Sequence, residues 1–100
     1  MGLQAAFIFL GNGNDPEKQK ATVHCPHMDL HVIGVDSYEA AANVASKLAE
    51  QGVGAIELCG GFGIEGTALV KKAVAGKAVI GVVRFDGHPG LKNKSGDEIF

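Results

Sequence analysis

No long run of lysine or arginine occurs in this 100-residue chain, and its formal charge is −2. Nucleic acid is held non-specifically by cations set against phosphates, so a chain without a basic stripe is not built for that partner. Long apolar runs are missing too: the longest, Ala5–Leu10, is far below the roughly 20 residues that cross a bilayer. No membrane partner is expected. The N-terminus lacks the basic start and small-residue cleavage site of a secretory signal, which points to a cytoplasmic protein. Cysteine is scarce, with only Cys25 and Cys59; they could pair in an exported protein, but two free thiols are the default in a reducing cytosol. No internal repeat, linker or low-complexity tract breaks the chain.

What is present is an ordinary globular composition, 46% hydrophobic and 20% charged, except that 15 residues are glycine. That is about twice the usual roughly 7% and implies many tight turns or close backbone approaches. The length suits one domain over residues 1–100 with a single core, closing in a polar segment over 86–100.

Gln4–Leu10 is continuously apolar, the pattern of a central strand covered on both faces. Gly11–Asn14 breaks it, and Asp15-Pro16-Glu17 has the order of a cap, a first-turn proline and an early acid, so a helical turn over Pro16–Lys20 is expected. Thr22–Cys25, stopped by Pro26, and Leu30–Val35 are strand candidates that could pair as a hairpin. Asp36 with Glu39 suggests a capping box. Ala41, Val44, Ala45 and Leu48 then give a helical stripe ended by Gly52. A strand over Val53–Cys59, a glycine turn, a helix with Gly66, Leu69, Val70 and Ala73 on one face, a stop at Gly76 and a strand over Ala78–Phe85 complete the pattern.

Strand, helix, strand, helix, strand from Leu30 to Phe85 reads as two consecutive βαβ units after an N-terminal strand or strands. The fold class is therefore α/β: a small, mostly parallel sheet of four or five strands with two main helices. Two helices do not cover both faces of such a sheet, so a partner subunit or the apolar C-terminus should cover the rest, and a homo-oligomer is expected. Ligands of open parallel sheets sit beyond the carboxyl ends of the strands, which here carry Gly11, Asp36, Cys59–Gly61 and Asp86–His88.

Gly61-Phe-Gly63-Ile-Glu-Gly66 matches G-x-G-x-x-G after a strand and before a helix, with Asp86 at the end of the next strand. In the nucleotide reading the helix N-terminus cradles a phosphate and Asp86 holds a ribose. Against it stand the negative Glu65 in the first turn, the absence of a P-loop lysine after Gly66, and a chain too short for two mononucleotide halves. A small polar or anionic ligand held by Gly60, Gly61, Gly63, Arg84 and Asp86 fits better, and no particular cofactor is specified. The plain structural alternative is that the glycines let strand and helix pack closely.

Cys59 ends a strand just before that helix, where a thiol can be exposed and influenced by the helix dipole. It is either a nucleophile or redox thiol, with His88 as the candidate base, or a small buried hydrophobe. Glu57 shares its side of the sheet. A carboxylate inside a parallel strand needs a partner, and Arg84 is the natural one; such a pair is either structural or an anchor for a carboxylate, with Glu57 serving as acid or base. His24, Cys25, His27 and His31 invite a metal reading, but their spacing matches no standard zinc pattern and adjacent strand residues point to opposite faces. A surface cluster is the default, and no metal is expected.

Ile56-Glu-Leu-Cys-Gly-Gly-Phe-Gly63, Val82-Val-Arg-Phe-Asp86, His88-Pro-Gly90 and Lys94-Ser-Gly-Asp97 together resemble a family of small bacterial and archaeal proteins of unknown function. The resemblance spans nearly the whole chain, and the glycine-rich core is its most specific part. It implies a compact α/β domain and supplies no reaction, substrate or catalytic residue. Three expectations remain: a small-molecule binding protein, a small enzyme using Cys59, or a structural or oligomerisation module.

Overall fold

A computed structural model describes residues 2–100. Among them are the strands β1 (Leu3–Leu10), β2 (Lys20–His24), β3 (Met28–Val35), β4 (Ala55–Leu58) and β5 (Val79–Val82), with the helices α1 (Tyr38–Glu50) and α2 (Ile64–Val74). The sheet runs β2-β3-β1-β4-β5. β1 lies at its centre between parallel β3 and β4, β5 adds a further parallel strand, and β2 pairs antiparallel to β3 at one edge. The α/β class and the central place of the first apolar run are as the sequence pattern requires.

Local chemistry sets the element ends. Asp15 accepts from the Glu17 amide through its side chain and from the Lys18 and Gln19 amides through its carbonyl, which closes one turn and no helix. Pro26 sits in the reversal between β2 and β3, where the Cys25 amide donates to the Met28 carbonyl at 2.9 Å. The cap of α1 is Ser37, one residue beyond the expected Asp36: Ser37 Oγ accepts the Ala40 amide at 3.1 Å. A Ser or an Asp can play this part equally well, and the backbone places Ser37 at the extended residue before the first turn. Gly52, with φ +99°, follows the last turn of α1. α2 ends through Ala75 and Gly76, both with positive φ.

Both helices lie on one face of the sheet. The crossover from β3 to β4 passes over β1, and that from β4 to β5 moves one strand further the same way. Two right-handed crossovers that travel in the same direction deposit their helices on the same side, and α1 packs directly against α2. A doubly wound sheet has a crevice where its strand order reverses and helices change faces. Here the strand order does reverse at β1, which leads first to β3 on one side and then, through α1, to β4 on the other. β1 and β3, however, are joined through the edge strand β2 and not through a helix, so the helices do not change faces.

The core lies between the helices and Ala6, Ile8, Leu10, Ile33, Val35, Ile56 and Leu58 of the sheet. By the strand alternation the opposite face carries Ala5, Phe7 and Phe9 of β1 with their register partners Leu30, Val32 and Gly34, and Val23, Glu57 and Val79 further out. No element of the described residues packs a helix on that face. At the amino end of the helix-covered side a polar ladder runs across three strands. His31 bonds Thr22 at 3.0 Å and Gln4 at 2.8 Å, Gln4 donates to Asp29 at 3.1 Å, and Asp29 holds His24 at 3.0 Å. These bonds, from Gln4 first and His24 second, hold the Asp29 carboxyl below its ordinary range.

Candidate functional site

α2 starts on glycine. Gly63 is its N-cap and offers no side chain to the free amides of the first turn, which would ordinarily leave them to water or to a bound anion. A carboxylate from the far end of the chain meets them instead. Asp97 accepts the Glu65 amide at 3.1 and 3.3 Å and the Gly66 amide at 3.3 Å, while Tyr38 donates its hydroxyl to the same carboxylate at 3.0 Å. The Tyr38 oxygen in turn accepts the Gly63 amide at 3.0 Å. The positive end of the helix dipole is thereby matched by a negative charge that belongs to the protein. Burial, with Asp97 beside it, pushes the Tyr38 phenol up to about 12, against the bond from Gly63.

The polar segment expected over residues 86–100 is therefore built into the fold as a strap. His88 and Lys94 bridge its two limbs, a capping box of Ser95 and Glu98 shapes the turn carrying Asp97, and Phe100 packs near Tyr38 with ring centroids 6.2 Å apart. The glycines are required by this closure. A Cβ on Gly60 would lie 2.0 Å from the Phe85 ring, and one on Gly63 would lie 2.2 Å from the Asp97 carboxyl group. One on Gly96 would strike the Gly61 carbonyl oxygen, a backbone atom that has nowhere to go. The glycine fingerprint thus lets the strap approach, in addition to letting strand and helix pack.

The expected site residues separate into two groups. Cys59, Gly60, Gly61, Gly63, Arg84, Asp86 and His88 belong to the carboxyl edge of the sheet. Glu57 is exposed on the helix-free face beside Phe7 and Gly81. It takes part in no ion pair among the described residues, and Arg84 pairs with Asp86 instead, Nε to Oδ1 at 2.8 Å. The expected Glu57–Arg84 pair does not form: the register sets Glu57 opposite Gly81, so the alternation of β5 turns Val82 and a continuing Arg84 to the other face, and β5 ends at Val82 before Arg84 is reached.

Cys59 is half-buried and free, as is the exposed Cys25. The amides of Leu10 and Gly61 both donate to the Cys59 sulfur at 3.3 Å, which ties it into the turn. His88 packs its ring on Phe85, centroids 4.6 Å apart, and its Nδ1 accepts the Gly90 amide at 2.9 Å. In the neutral ring that bond places the proton on Nε2, so His88 acts here as a cap for its own loop and not as an acceptor facing Cys59.

A cleft of about 340 Å³ opens between the first turn of α2, the exit of β5 and the strap. Phe62, Ile64, Val82 and Phe85 give it apolar walls, and Arg84, Asp86, Ser95 and Asp97 give it polar groups. Of the Arg84 guanidinium, only Nε is hydrogen-bonded among the described residues. A larger, open hollow of about 680 Å³ lies between α1 and the β2–β3 edge; Thr22 and His31 on its sheet side bond each other in the ladder, and Asn43, Lys47 and Gln51 line its helical side. No group of three or more His, Cys, Asp or Glu side chains among the described residues is arranged to hold a metal ion; His24 and His31 are both engaged in the ladder.

Neither Tyr38 nor Asp97 is among the expected site residues; Asp97 enters the sequence reading only as the end of the Lys94–Asp97 segment of the family resemblance. The available signal was negative: a helix opening on Gly63 without a local side-chain cap needs a partner from elsewhere.

Fold and site together define a one-sided α/β domain whose C-terminal strap closes over the carboxyl edge of the sheet. The chain belongs to the Family of unknown function (DUF6506), matched over residues 3–98. Neither a curated protein nor a solved structure matches it.

Proposed function

We propose that this protein binds a small polar or anionic organic molecule in the cleft between α2, the exit of β5 and the strap. The observation that carries this reading is Arg84: its Nε is held by Asp86, which aims a guanidinium with two further nitrogens at the mouth of an apolar-walled cleft. A forked guanidinium suits a carboxylate. The apolar walls suit a hydrocarbon or ring body, and 340 Å³ lies near the lower end of the roughly 300–1,000 Å³ typical of ligand pockets. The glycine amides contribute shape and not charge recognition, because Gly61 is engaged by Cys59, Gly63 by Tyr38 and the next turn by Asp97. A phosphate at the helix N-terminus would first have to displace a carboxylate already seated there, so a nucleotide is disfavoured. Asp86 balances the charge of Arg84 and selects ligands that also carry a hydroxyl or amine donor.

The test is a thermal-shift screen of small carboxylates, hydroxy acids, amino acids, phosphates and nucleotides. A carboxylate should raise the midpoint, and Arg84→Ala should abolish that rise. No shift with any carboxylate, or a shift that survives Arg84→Ala, overturns the reading.

A second reading makes Cys59 a nucleophile, and the two amides aimed at its sulfur favour it, because such donors stabilise charge developing there. In that reading His88 must release the Gly90 amide before it can take a proton. Alkylation by iodoacetamide at neutral pH decides the point: Cys59 should react faster than free cysteine, and an equal or slower rate removes this reading.

A further inference from the structure

The helix-free face of the sheet is the largest feature that neither the core nor the cleft uses. At its centre Phe7 and Phe9 stand beside Leu30 and Val32, with Ala5 filling the gap below them. The Phe9 ring lies over Gly34, where a Cβ would come within 2.7 Å of it. Towards the edges Leu3 and Val23 are each 52% exposed and Val79 is 74% exposed. Soluble monomers rarely expose an apolar surface of more than a few hundred Å² in one piece.

The geometry points to a second copy of this chain as the occupant, packed sheet against sheet. The five strands hold 8, 5, 8, 4 and 4 residues, which at about 3.3 Å of rise and about 4.8 Å of spacing present about 460 Å² in projection. With side-chain relief that rises towards the roughly 800 Å² per partner of a stable interface. Shape and charge single out the copy from other occupants. The face is an open sheet surface, and among the described residues its strand positions carry no lysine or arginine to attract anionic lipid. Its one charged side chain is Glu57, which a hydrocarbon layer would exclude. Two twisted sheets pack face to face about 10 Å apart, and an interface centred on β1 and β3 leaves Glu57 on β4 at its margin, where it keeps contact with water. A two-fold arrangement brings the same residues from both copies into one layer, so each chain completes for the other the second side of a sheet that its own helices cover only once.

Native mass spectrometry and sedimentation at micromolar concentration test this. The wild-type protein should have the mass of two chains. Val32→Lys at the centre should raise the dissociation constant by about 30-fold or more, as removal of a central contact does. Because Val32 is half-buried and its variant could unfold, Leu3→Lys with Val23→Lys provides the parallel trial: both residues are already exposed, so the fold should persist by circular dichroism while the dimer weakens. Leu69→Lys, on the outer side of α2, should leave the mass at two chains. A wild-type monomer, a dimer that survives the Leu3 and Val23 changes, or a dimer lost on Leu69→Lys would each overturn the inference.

Discussion

The two helices begin in opposite ways. α1 is capped one residue ahead of its first turn by Ser37, and everything needed lies within four positions of the chain. α2 begins on glycines and receives its cap from Asp97, more than thirty residues further on, through a carboxylate shared with the hydroxyl of Tyr38. The first arrangement stabilises a helix whether or not the rest of the protein is folded. The second exists only when the strap is closed, so it couples the start of α2, the start of α1 and the C-terminus into one unit. It also shows that a glycine-rich strand-to-helix turn, the usual mark of an anion site, can be filled by an anion from the same chain.

Breaking the remote cap should have the largest effect. Asp97→Ala leaves two first-turn amides and a buried hydroxyl without their partner and should cost about 2–3 kcal/mol, read as a lower urea midpoint. It should also create an empty anion site, so inorganic phosphate should raise the melting temperature of Asp97→Ala more than that of the wild type. An equal response in both would mean that the carboxylate is not what fills the helix end.

Next comes the pH dependence that Tyr38 confers. Its phenol is held near 12 in the folded protein against 10.0 otherwise. The folded state therefore keeps a proton that the unfolded chain releases. Stability from this source is fully present below pH 10 and declines as pH rises from 10 towards 12, by at most the roughly 2.7 kcal/mol that two pKa units represent and by less where solvent screens the partly buried hydroxyl. Tyr38 is the one tyrosine and there is no tryptophan, so tyrosinate absorbance titrates this group alone. A midpoint near 10 in the folded protein would contradict the buried, Asp97-bound hydroxyl. Tyr38→Phe should remove this part of the alkaline loss.

The smallest effect belongs to the local cap. Ser37→Ala should cost about 1 kcal/mol and, unlike Asp97→Ala, should leave the hydrogen exchange of the strap unchanged. If Ser37→Ala loosens residues 94–100 as much as Asp97→Ala does, the contrast between a local and a remote cap is lost.

Much of the architecture was legible because it rests on short-range rules. The apolar run of Gln4–Leu10 marks a central strand, the stripe over Ala41, Val44, Ala45 and Leu48 marks the buried side of α1, and Gly52 and Gly76 mark helix ends. The site was legible only in part. Arg84 and Asp86 do reach the carboxyl edge and pair with each other, but that Arg84 misses Glu57 is set by the register of β4 against β5, which puts Glu57 opposite Gly81, and no local pattern announces that. Asp97 stands in the sequence within the Lys94–Asp97 segment of the family resemblance, but nothing local to it points to the start of α2.

By itself, then, the sequence determined which segments are strands and helices, that the sheet is mostly parallel, and that a glycine-rich turn opens the second helix, because periodicity and backbone freedom act within a few residues. The tertiary structure decided three further things: that both helices fall on one face, that the other face stays largely apolar and without a covering helix among the described residues, and that Asp97 occupies the helix end. Each follows from the direction of the crossovers and the path of the last fifteen residues, which are properties of the whole chain.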